Sequence, residues 1–132
     1  MSTQENVQTV KDFLAAVSRA DKPGLLALSA EDIEWVIPGE DWPLAGTHHG
    51  HQGLVHLLQK ACEIQTSFPE PPDFVAQGDR VIVIGFAKGK VKATSKTFED
   101  HFVFAVTVHN GRVKHIREYV DTQALATACE KT

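Results

Sequence analysis

The chain predicts an α+β fold in which helices cover one side of a curved, mostly antiparallel sheet, and three observations carry that expectation. Apolar residues recur at three and four in two stretches before residue 62, which is the helical period. After residue 73 they alternate or run together, as strands require. The longest stretch of one pattern, Thr97 to Thr122, reads as a β-hairpin turned at Asn110-Gly111.

Ser2-Thr3-Gln4-Glu5 has the spacing of a capping box, and Val7, Val10, Phe13, Leu14 and Val17 form the stripe of a first helix ending near Ala20. Asp21 caps a short second helix through Leu28, with Pro23 in its first turn, where a missing N–H is harmless. Ile33 to Ile37 is a brief strand stopped by Pro38-Gly39, and Gly39 to Gly53 is a loop rich in Gly, Pro and His. Leu54, Leu57, Leu58 and Ala61, widened by Val55 and Cys62, give the third helix its stripe; the proline-rich run Ser67 to Pro72 ends it. A short strand from Asp73 to Ala76 turns at Gly78-Asp79 into Val81 to Lys90, whose apolar run predicts a central strand covered on both faces. The loop Ala93 to Lys96 leads into the hairpin, and Asp121-Thr122 start a last helical turn around Ala124 to Ala128.

Residues 1–132 suffice for one domain with a real core. A formal charge of −4 without a Lys/Arg run argues against nucleic-acid and membrane-surface partners. Cys62 and Cys129 make no disulfide framework, and no signal-like segment or long apolar run is present, so the expected location is cytoplasmic. Gly46, Gly50 and Gly53 do not follow a strand in dinucleotide-binding spacing, and His48, His49 and His51 lack the spacing and companion acids or cysteines of a metal centre. No cofactor and no metal are expected.

Acids on strands otherwise built for a core are the unusual feature, and the hairpin register decides which of them faces inward. A two-residue type I′ turn sets Val108 opposite Val113 and Asp100 opposite Asp121, with Tyr119 and Arg117 alongside. A three-residue loop with Gly111 in a bulge sets Val108 opposite Arg112, and Asp100, Phe102 and Phe104 then share a face with Ile116, Glu118 and Val120. One residue of slip exchanges the whole set.

The stretch AGTHHGHQGLVHLL, the strand pair QGDRVIVIGFAKGK and the ending HNGRVKHIREYVDT resemble the SnoaL-like branch of the nuclear transport factor 2-like (NTF2-like) superfamily over nearly the whole chain. The resemblance implies a cone whose open mouth holds a mostly apolar pocket, and a homodimer formed through the sheet. The superfamily includes polyketide cyclases, ketosteroid isomerases, limonene-type epoxide hydrolases, and members that only bind or scaffold. The isomerase base would fall at Ile37, before Pro38, and its oxyanion-binding acid at about Phe104; neither side chain transfers a proton. The hydrolase pair of Arg and Asp would fall at Gly85 and Ala87, leaving Glu118 as the one matching acid. Trp35 and Ile37 are placed in the pocket wall, and the three-residue loop is favoured.

A carboxylate in an apolar cone is desolvated, which raises its pKa and suits it to proton transfer near neutral pH. Glu118, among Trp35, Phe102, Phe104 and Ile116, is the expected acid/base. Asp100 would lie diagonally from it at about 7–8 Å, close enough to share the roles. Trp42 would close over the ligand, and Asp121 would cap the last helix. The expected function is cofactor-independent cyclase, isomerase or hydrolase chemistry on a small hydrophobic molecule; the alternative is a non-catalytic binding module with the same pocket. His101, Val103 and Ala105, on the reverse face, would meet a second copy.

Overall fold

The computed structural model describes residues 2–130, and local rules account for its helices. α1 (Thr3–Ser18) opens on the capping box: the Glu5 N–H donates to Ser2 Oγ at 3.1 Å and the Ser2 N–H to Glu5 Oε1 at 3.2 Å. α2 (Lys22–Ala27) is capped by Asp21, whose Oδ1 accepts the Gly24 N–H at 3.1 Å. α3 spans Gly50–Ala61, and α4 spans Thr122–Cys129 behind its N-cap Asp121. Among the described residues no helix is long and apolar enough to cross a membrane.

The strands are β1 (Ser29–Ile37), β2 (Gly46–His49), β3 (Ile64–Ser67), β4 (Asp73–Gln77), β5 (Arg80–Val91), β6 (Thr97–His109) and β7 (Arg112–Tyr119). They form one strongly curled mixed sheet in the order β2-β1-β7-β6-β5-β3, with β4 also on β5, and with the helices make the expected α+β cone. β1 and β7 are the parallel pair. Three expectations need correction here. β1 begins at Ser29 rather than Ile33, while β2 occupies part of the expected loop and pairs antiparallel with β1. β3 precedes the proline run and pairs with the far half of β5, Ile64 opposite Val91. Both unexpected strands have four residues and no apolar alternation, so an open edge rather than their own sequence makes them strands.

β5 is central, but within one chain only one of its faces is fully covered. Val81, Val83, Ala87 and Val91 are buried, whereas Ile84 on the other face is 44% exposed. The inner face of β5 also carries Gly85 and Gly89, paired with Phe102 and Phe98 of β6. A Cβ on Gly85 would stand 2.5 Å from the Phe102 ring, so the missing side chain is what lets the ring lie across the strand where the sheet bends.

The hairpin combines features of both readings. Asn110 (φ 51°) and Gly111 (φ 75°) form a two-residue turn, His109 faces Arg112, and Val108 faces Val113, so the three-residue loop is incorrect. One pair further the register shifts: Thr107 faces His115, which leaves Lys114 as an extra residue in a bulge. The bulge reverses the inside and outside of everything beyond it. Phe104 therefore faces Glu118 and Val106 faces Ile116, restoring the face that the rejected loop would have produced. Lys114 is ion-paired with Asp32, which lies where β1 also breaks register against β7.

Candidate functional site

The curled sheet, α1 and α3 enclose a cavity of about 550 Å³, within the usual range for small-molecule sites. Its wall is mainly apolar. β1 contributes Trp35 and Ile37, β6 contributes Phe102 and Phe104, and β7 contributes Glu118. Phe102 and Phe104 stack at 4.6 Å between centroids, and Phe68 at the mouth meets Phe102 edge-on at 5.8 Å.

Glu118 lies inside because of the bulge, and its partner is set by the parallel pairing of β1 with β7. Trp35 sits opposite Ile116, two residues from Glu118 on the same inner face, and its Nε1–H donates to Glu118 Oε2 at 2.6 Å. Among the described residues this is the one hydrogen bond of the carboxyl group. Glu118 is 8% exposed, and burial pushes its pKa up to about 8. The Trp35 hydrogen bond opposes that rise, and the nearby charge of Asp100 adds to it.

Asp100 is buried too, at 6% exposure, but it does not line the cavity. The bulge moves it: Phe104, not Phe102, faces Glu118, so Asp100 lies two inward positions along β6 rather than diagonally adjacent. Its Oδ1 accepts the Asp121 N–H at 2.8 Å, tying β6 to the start of α4, and burial raises its pKa as well. Asp121 accepts the Ala124 N–H at 3.0 Å, the expected cap.

Ile116 and Trp42 are buried outside the cavity wall. Ile116 belongs to the core beneath it. The Trp42 indole donates to the Pro38 carbonyl at 2.9 Å, a bond within its own loop, while Leu44 of that loop lines the cavity. His48 Nε2 lies 2.8 Å from the Leu44 carbonyl oxygen and His51 Nε2 lies 3.0 Å from that of Ser29; both side chains secure the start of α3. His49 Nδ1 stands 3.9 Å from Glu34 on the outer surface.

The helical wall was missed. Leu14 of α1 and Leu54, Leu57 and Leu58 of α3 were legible as buried stripes, yet nothing local distinguishes a stripe that meets a cavity from one that meets a sheet. Phe68 and Phe74 enter because β3 and β4 share one edge of β5, a placement with no sequence signal.

Comparison with known proteins agrees with this architecture. Residues 10–116 match the SnoaL-like domain. The crystal structure of an NTF2-like protein from Burkholderia xenovorans LB400 is 67% identical, with 98% of this chain and 99% of that chain covered and a TM-score of 0.95. An NTF2-like protein of unknown function from Burkholderia pseudomallei K96243 is 28% identical over 99% and 100% of the two chains, at a TM-score of 0.83. TerC, co-crystallised with polyporic acid, is 27% identical over 96% and 99%, at 0.80. No curated protein matches the chain.

Proposed function

We propose, since this chain belongs to the SnoaL-like domain family of the NTF2-like superfamily, that its cone carries out cofactor-independent acid/base chemistry on a small hydrophobic molecule. The supporting observation is Glu118. One of its oxygens is held by Trp35, the other has no protein partner among the described residues, and its pKa of about 8 keeps it protonated at neutral pH. A general acid works best with a pKa near the working pH. Glu118 gives its proton to a ligand oxygen; the carboxylate regains one from a ligand carbon, so an isomerisation or cyclisation closes with the catalyst unchanged. In a hydrolysis the returning proton comes from the added water. That a related protein, TerC, was co-crystallised with polyporic acid supports a small organic molecule in this fold.

The second reading is a binding module, favoured by one observation: among the described residues Glu118 is the sole acid lining the cavity, with Asp100 set aside from it. The two readings separate on Glu118→Gln. Apolar carbonyl and epoxide compounds are screened by quenching of the Trp35 fluorescence, then followed for turnover. Glu118→Gln is expected to keep binding and lose roughly 10²- to 10⁴-fold in rate. Binding without turnover by the unaltered protein leaves the module, and turnover unaffected by the substitution removes Glu118 from the chemistry.

We propose further that a second copy covers the outer face of the sheet. Val75 at 56%, Ile84 at 44% and Tyr119 at 56% exposure lie there, with Ile84, Val103 and Tyr119 in one cross-strand row, and the His101 ring lies tilted against Phe86 at 4.6 Å between centroids. Light scattering at micromolar concentration is expected to give twice the chain mass, 14.5 kDa; the chain mass itself would end this proposal. Two free cysteines suit the cytoplasm as the setting.

A further inference from the structure

Lys11, Leu14, Ala15 and Ser18 fall at helical spacing on α1, and all four line the cavity. A lysine on such a face extends its stem along the apolar wall and leaves its ammonium at the rim. The Lys11 ammonium stands 5.1 Å from the centroid of Phe74, itself a wall residue. The chain has 17 acidic residues against 13 Lys and Arg, yet among the described residues no carboxylate pairs with Lys11. Among the described residues it is also the one Lys or Arg in the cavity lining.

The depth has the opposite character. Glu118 is buried there, Asp100 adds negative charge behind it, and the Trp35 N–H is already engaged. An anion placed in the depth would lose its water without gaining a donor other than the Glu118 hydroxyl, beside a second acid. A neutral hydrogen-bonding group loses far less. The wall between depth and rim includes the stacked Phe102 and Phe104, which suit a flat apolar body.

We propose that the cavity selects an amphipathic monoanion, bound with an uncharged hydroxyl or carbonyl end against Glu118 and its anionic group at the rim beside Lys11. This rests on the reading of the cavity as a ligand site. The probe pair is 6-hydroxy-2-naphthoate and its methyl ester, identical in body and differing in charge, compared by calorimetry at pH 7. The acid is expected to bind roughly three- to fivefold tighter than the ester, the scale of one partly exposed ion pair, with the advantage shrinking as salt is added. Lys11→Met should erase the advantage and leave the ester unchanged, while Lys11→Arg should retain it. Equal affinities for the unaltered protein, or a preference that survives Lys11→Met, would overturn the anion selection and leave the cavity reading standing. Failure of both compounds to bind at millimolar concentration removes the cavity reading and the anion preference together.

Discussion

Raising the pH from 5 to 9 is expected to weaken the fold by about 4 kcal/mol through Glu118, and Glu118→Gln is expected to abolish that loss. The cause is burial, which pushes the folded-state pKa from its ordinary 4.5 to about 8. Between those two values the folded chain holds a proton that the unfolded chain has released. Stability is therefore greatest below the unfolded pKa, falls as pH rises through the interval, and levels off above the folded pKa. Gln keeps the shape and can still accept the Trp35 N–H, but it has no proton to lose. Asp100, whose pKa is also raised, adds a fall of the same sign in both proteins. Urea unfolding at pH 5, 7 and 9, at one fixed protein concentration, measures the two curves. Parallel curves would mean that Glu118 is not the desolvated acid described above.

Trp35→Phe is expected to cost about 1–3 kcal/mol and to move the Glu118 pKa further upward. The indole N–H donates at 2.6 Å to a buried carboxyl that has no other protein donor among the described residues. Such a bond is stronger to the charged carboxylate than to the neutral acid, so it holds the pKa down against burial. Removing it leaves burial and the Asp100 charge, both of which raise the pKa. The stability loss should consequently be larger at pH 9 than at pH 5, and any pH profile of activity that reports Glu118 should shift to higher pH. Phe still packs on Phe13, which lies 5.6 Å from Trp35, so lost contact area makes the smaller contribution. A loss of equal size at both pH values would show that packing, not the hydrogen bond, sets the effect.

What the sequence determined by itself is the set of elements governed by short-range rules. The Ser2 capping box, the Asp21 cap, the stripes of α1 and α3, the place of the hairpin turn at Asn110-Gly111, though not its two-residue form, and the alternation along β6 each act within a few residues, and each is where the pattern places it. The α+β class follows from their order, and so does the choice of Trp35, Phe102, Phe104 and Glu118 as wall residues once that order resembles a known cone. Tertiary structure alone decided the rest. β2 and β3 are strands because β1 and β5 offer unpaired edges to four-residue segments without a pattern of their own. Trp42, Ile116 and Asp100 satisfy the same rule of burial as the wall residues, but other partners direct them elsewhere: Pro38 of its own loop for Trp42, the start of α4 for Asp100 and the core for Ile116. The inward face of Glu118 depends on one extra residue, Lys114, placed where β1 also breaks register. A two-residue turn without that bulge would have turned Tyr119 inward. Pairing energy between strands is nearly the same in either register; what separates them is the burial of a whole row of side chains, a quantity that exists only when the sheet has closed on its helices.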